Sequence, residues 1–122
     1  MKRGYFNNRG ELFFEMDFIA VDGSIVVADA LLDTGFTDWN AQNTQDIEDL
    51  GWPFIDRQEK QTASGFVSFN LYVGTIFFDG QEFTIEVIGG EDFTHVLMGL
   101  QWLKHRRLIV DRKIDQLTLA SG

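Results

Sequence analysis

Between residues 11 and 21 the chain alternates. Leu12, Phe14, Met16, Phe18 and Ala20 are apolar, with Glu15 and Asp17 between them. A period of two puts the apolar set on one face of a β-strand and the acids on the other. Asp22-Gly23 follows, a dipeptide suited to the tight turn of a hairpin, and "SIVVADALL" reads as the return strand, ending at Asp33. The first ten residues carry Asn7-Asn8 and Gly10, which predicts a turn or a mobile arm. The period changes in "NAQNTQDIEDLGW". Asn43 can cap a helix, Asp46 stands three residues on, Ile47 and Leu50 share a face, and Gly51 with Pro53 supplies the stop. The prediction is a short helix of about two to three turns.

Residues 58–78, "QEKQTASGFVSFNLYVGTIFF", read as extended structure around a turn at Ser64-Gly65. A second hairpin turn is expected at Asp79-Gly80, leading into "QEFTIEVIG", and after Gly89-Gly90 comes a short apolar strand, "HVLMG". "LQWLKHRR" reads as helical, with Leu100 and Leu103 on one side. "LIVD" and "LTL" close the chain as strands, joined by a charged turn in which Asp111 and Asp115 flank Arg112-Lys113. Short strands, glycine turns and two small helices predict a mostly-β domain, a barrel or folded sheet. With no linker, repeat or low-complexity tract, residues 1–122 are expected to form one domain.

Composition narrows the classes. An apolar fraction of 44% with 12 Phe and 3 Trp is enough for a packed core. The absence of Cys removes disulfides and thiolate chemistry and fits a reducing compartment, so a cytoplasmic location is the default expectation. No apolar run reaches the length of a membrane span, and Lys2-Arg3 is not followed by a signal-like segment. A net charge of -9 argues against nucleic acid as partner, since phosphate binding needs a basic face. Lys104, His105, Arg106 and Arg107 form the one basic cluster and read as a helix C-terminus, where cations suit the dipole. His95 and His105 stand apart, so no metal set is expected, and His95 reads as a strand-end residue. Neither a phosphate-cradling glycine loop nor a serine-nucleophile elbow occurs.

One acid stands out. Asp33 ends an apolar run and is followed at once by Thr34 and Gly35. All three types are turn-prone, so an ordinary turn is one reading. The surroundings supply another. "LLDTGFTDWN", the helix ending "IEDLGW", the glycine hairpin "TASGFVSFNLYVGTIFFDGQEF" and "VLMGLQWLKHRRLIVD" together resemble the retropepsin-like aspartic proteases, in particular the small single-domain bacterial type. The resemblance runs from about Leu12 to Leu119.

What the resemblance implies is specific. The fold would be an all-β, closed acid-protease barrel with one or two short helices, acting as a homodimer. Asp33 would be the catalytic carboxylate, with Thr34 locking the paired loops and Gly35 allowing the tight turn. Leu97, Met98 and Gly99 would support that loop. The hairpin at Ala63, Ser64, Gly65 and Phe66 would close over an extended protein or peptide substrate, with Phe66, Phe69 and Tyr72 as candidate subsite or core residues. The chemistry needs two carboxylates, and the sequence holds no second Asp-Thr-Gly or Asp-Ser-Gly, so the second would come from another copy of the chain. No cofactor, metal, nucleic acid or membrane is implied. The chain departs from the retroviral pattern at Phe36, where a small residue is usual, and at Thr37 and Leu100, where an acid and an arginine often pair. The competing expectations are a non-catalytic dimeric peptide-binding or scaffolding module with the same fold, and a stand-alone β-domain used only for protein interaction.

Overall fold

The alternation that opens the chain becomes strand β3 (Leu12–Ile19), with Phe14, Met16 and Phe18 buried and Glu15 exposed. It turns through Val21, Asp22 and Gly23, one residue longer than the two-residue turn expected, with Gly23 N donating to Ala20 O at 2.9 Å, into β4 (Ile25–Leu32), in register from Ile19 opposite Ile25 to Phe13 opposite Leu31. The computed structural model describes residues 1–121. The remaining elements are β1 (Lys2–Arg3), β2 (Tyr5–Phe6), β5 (Asn40–Asn43), α1 (Thr44–Leu50), β6 (Phe54–Thr62), β7 (Gly65–Phe78), β8 (Gln81–Gly90), β9 (Val96–Met98), a 3-10 turn (Leu100–Leu103), β10 (Arg106–Asp111) and β11 (Gln116–Ser121).

Hydrogen bonding runs β3–β4–β9–β5–β8–β7, and β7 pairs with β3 again, which closes a six-stranded barrel. Closure leaves these strands no free edge. β6 extends the sheet beyond β7, while β1, β11 and β10 form a separate three-stranded sheet. The fold is thus all-β with one short α-helix. Its core gathers Phe14, Met16, Phe18, Ala30, Leu32, Ile76, Phe78, Val87, Met98 and Leu119 around Trp102, which is 1% exposed. The Trp102 ring lies 5.1 Å from Phe78, 5.0 Å from Phe83 and 4.9 Å from Trp39, and its indole N–H donates to Asn40 Oδ1 at 2.9 Å. Asn40 is fully buried, and that bond is what makes its burial tolerable.

The helix forms as its sequence predicts. The Asn43 side chain accepts from the Gln45 amide, Ile47 and Leu50 are buried, and Gly51 stops the helix at φ 74 in the left-handed region. The Asp79-Gly80 hairpin also forms, with both residues at positive φ. Four further local expectations need correction. The first ten residues are not a loose arm: β1 pairs with β11, β2 pairs with β3, and Asn7 to Gly10 make the turn between. The hairpin of β6 and β7 turns at Ala63-Ser64, one residue earlier than expected, with Thr62 opposite Gly65. "LQWLKHRR" is helical only as the 3-10 turn; a bend at Lys104-His105 follows, with His105 at φ 63, and Arg106 already belongs to β10. The basic cluster is therefore no helix C-terminus. Strand pairing with β11 and the stacking of the Arg106 guanidinium over Phe78 and Phe83 outweigh the helical spacing.

Candidate active site

β9 lies between β4 and β5, parallel to the first and antiparallel to the second. The chain leaving β4 must therefore pass over the end of β9 to reach β5, and Asp33 opens that passage. Its amide donates to Met98 O at 3.0 Å. Phe36 N returns to Asp33 O at 3.1 Å, which closes the turn, and Gly35 N donates to Asp33 Oδ1 at 2.9 Å, which orients the carboxylate. On the other side of the crossing, Gly99 N donates to Trp39 O at 2.8 Å and Leu100 N to Phe36 O at 2.9 Å. Gln101 adds a side-chain bond to Thr37 O at 3.2 Å. These neutral bonds tie the segment that follows Gly35 to the segment that follows Met98.

Gly99 makes the crossing possible. A Cβ there would run into the Asp38 carbonyl oxygen and stand 2.7 Å from the Phe36 carbonyl oxygen, although the Gly99 φ of -102 is open to any residue. The need is for space and not for an unusual dihedral. Leu97 and Met98 complete the support, pairing with Leu31 and Leu32 of β4. Asp33 thus follows directly on the strand that pairs with Leu97 and Met98, and its amide is bonded to Met98. Asp33 is half-buried, and Thr34 and Gly35 are exposed.

The hairpin of β6 and β7 rises beside this loop. Its turn is closed by Thr62 Oγ1, which donates to Gly65 O at 2.9 Å and accepts from Ser64 N at 3.3 Å. Ala63, Ser64, Gly65 and Phe66 are all exposed, Phe66 by 74%. Lys60 Nζ reaches Asp38 Oδ2 at 2.8 Å and ties the hairpin to the Asp33 loop. Below the hairpin, Phe36, Phe69, Phe93 and Leu97 pack on buried Ala41, Leu71 and Ile88. Phe36, the bulky residue after Gly35, is therefore a packing residue in this second cluster. A cavity of about 630 Å³ opens between the hairpin residues Thr62, Ser64, Val67 and Phe69 and the turn at Gly90 and Phe93. Of the three aromatics named from sequence, Phe66 is at the exposed tip, Phe69 lines this cavity and stacks on Phe93 at 5.8 Å, and Tyr72 belongs to the core.

Lys60, Asp38, Gln101 and Phe93 were not singled out by sequence. Asp38 lies in the same loop as Asp33, but nothing local marks Lys60 as its partner across 22 residues. His95 sits just before β9 with its ring edge against Phe13 at 6.1 Å, as a strand-end residue would. Among the described residues no group of three or more His, Cys, Asp or Glu is arranged to hold a metal. No helix of the described residues is long and apolar enough to cross a membrane.

No protein-family profile matches the sequence, and no curated protein sequence matches it. Solved structures do match. A retropepsin-like aspartic protease from Rickettsia conorii superposes with a TM-score of 0.70 at 20% identity, over 98% of this chain and 89% of that one. The protease of simian foamy virus (mac) superposes with a TM-score of 0.54, also at 20% identity, over 79% of this chain and 99% of that one. The fold of the chain is retropepsin-like.

Proposed function

We propose that this retropepsin-like chain is an aspartic endopeptidase, assembled as a homodimer in which each copy supplies one Asp33. The observation that carries the reading is the crossing itself: a half-buried aspartate, oriented by the amide two residues on, at the surface end of a loop held by β9 and Gly99. The structural likeness to two aspartic proteases supports it. Exposed Thr34 and Gly35 beside the acid leave that face of the loop open to an identical loop.

Two carboxylates brought together on a two-fold axis cannot both ionise cheaply, so they hold one proton between them. The ionised member takes a proton from a water. That water attacks the peptide carbonyl, and the protonated member donates a hydrogen bond to the carbonyl oxygen. The cavity between the Ser64 hairpin and the Phe93 turn would take part of an extended peptide, with main-chain groups of the hairpin bonding it as an added strand.

The test is cleavage of unfolded peptides at mildly acidic pH by the wild-type chain and by Asp33→Asn. The variant is expected to lose activity by about 10⁴-fold, with folding and self-association unchanged. Equal activity in the variant ends the protease reading. The cavity beneath the hairpin does not include Asp33, which keeps a second reading in view: a dimeric peptide-binding module without catalysis. Saturable peptide binding with no cleavage across a broad library would select it.

A further inference from the structure

The barrel has a second opening, at the hairpin end of β4. Val26, Ala28, Ala30 and Leu32 share the inward face of that strand. Ala30 and Leu32 are in the core and Ala28 packs against it, but Val26 is 47% exposed. The inward face thus runs out of cover toward Asp22. There a cavity of about 650 Å³ is lined by Phe18, Ala20, Val26, Ala28, Leu50 and Val96, with Gln42 among them and Asp22, Asp46 and Asp49 around it. A volume of that size suits a small organic ligand. Asp33 lies at the other end of β4, roughly 20 Å away at the rise of an extended strand.

Gln42 marks this cavity as more than a gap. It lies two residues after Asn40 on β5, so both side chains point into the barrel. Asn40 finds Trp102 and Met16 as partners. Gln42 is 1% exposed, and its side-chain oxygen has no hydrogen-bond partner among the described residues. A buried acceptor left unpaired is destabilising, and a donor that reaches it recovers the loss. The charge around the opening is one-sided: three carboxylates line the cavity and no Lys or Arg does, among the described residues. Asp22 Oδ1 accepts from the Ser24 hydroxyl and amide, and Asp49 Oδ1 accepts from Gln45, which leaves the second oxygen of each for another donor. The Ser24 hydroxyl, and then its amide, hold the Asp22 carboxyl below its ordinary value, so it stays charged.

We propose that the barrel mouth binds a small aryl-alkyl ammonium that carries a hydroxyl donor, with its apolar body against Phe18, Ala28 and Val96, its ammonium among Asp22, Asp46 and Asp49, and its hydroxyl donating to Gln42. The site is independent of the Asp33 loop, so it stands whether or not the chain is a protease.

Titration of the full chain with tyramine, followed by NMR and calorimetry, tests it. Saturable shifts are expected at Val26, Ala28, Gln42, Leu50 and Val96. Phenethylamine, which lacks the hydroxyl, should bind several-fold more weakly, and hydroxyphenylpropionate, with the opposite charge, at least about tenfold more weakly. Gln42→Leu should erase the difference between tyramine and phenethylamine. Asp46→Asn and Asp49→Asn should each weaken tyramine by about threefold, the scale of exposed charge pairs. Ala28→Phe should fill the mouth and abolish binding; Val26→Trp, at a partly exposed position, does the same if Ala28→Phe fails to fold. Asp33→Asn should bind as the wild type does. Non-saturable shifts, shifts scattered away from the mouth, equal binding of the carboxylate probe, or unchanged binding in the filled variant would each overturn the proposal.

Discussion

The loop that carries Asp33 and the hairpin that carries Ser64 line the same side of the molecule, yet they are held in opposite ways. Backbone bonds of Asp33, Phe36 and Trp39 with Met98, Leu100 and Gly99 clamp the loop to the end of β9, and Gly99 leaves no spare room at the crossing. The outer hairpin pairs only with itself, its β6 side is mostly exposed, and one exposed ion pair joins it to the loop. In the proposed peptidase the reacting group needs an over-determined geometry, whereas the element that admits a chain of substrate must open. Hydrogen exchange should expose the difference most sharply. The Asp33 and Gly99 amides should exchange about 10³-fold or more slowly than those of Lys60 to Gly65, because the first group opens only with the barrel and the second opens alone. Comparable rates in the two groups would remove the contrast.

The next largest effect is at the crossing. Gly99→Ala adds a methyl group that meets two backbone carbonyl oxygens, neither of which can swing away as a side chain would. A loss of about 3 kcal/mol or more is expected, read as a lower denaturant midpoint. A loss below about 1 kcal/mol would mean that the two segments pass at a greater distance than described. At the hairpin, Gly65→Ala meets no atom within 4 Å, but Gly65 has φ 114, a conformation that side chains avoid. The expected cost is about 1 kcal/mol or a little more, confined to the hairpin's exchange rates, with the barrel's unfolding midpoint little changed.

The same contrast explains which features were legible in sequence. Features fixed by neighbouring residues were: the alternation of β3, the Asn43-to-Gly51 span of α1, and the Asp22-Gly23 and Asp79-Gly80 turns. Features fixed across long stretches were not. Nothing near Lys2 announces that it will pair opposite Leu119, and "LQWLKHRR" keeps a helical spacing that is broken only because β10 pairs with β11 and Arg106 lies over Phe78 and Phe83. At the candidate site, Asp33, Thr34 and Gly35 are visible in sequence as a turn, while the bond of the Asp33 amide to Met98 depends on a strand order that sets β9 beside β4 across more than 60 residues. The Asp38–Lys60 tie and the unpaired Gln42 are products of barrel closure, and no local pattern encodes either.

The smallest expected effect is the most informative about the hairpin. Lys60 and Asp38 are about equally exposed, at 40% and 44%, so solvent screens their attraction despite the 2.8 Å contact. A double-mutant cycle with Lys60→Met and Asp38→Asn should give a coupling of about 0.2–1 kcal/mol that shrinks as salt is added. In the proposed peptidase, loosening the hairpin should raise KM by about two- to threefold and leave kcat nearly unchanged, since the tie bears on closure over substrate and not on the carboxylate. A coupling above about 2 kcal/mol would place the pair in the class of desolvated ion pairs. The hairpin would then be latched to the Asp33 loop as firmly as the loop is held by β9, and the division between a fixed acid and a yielding cover would fail.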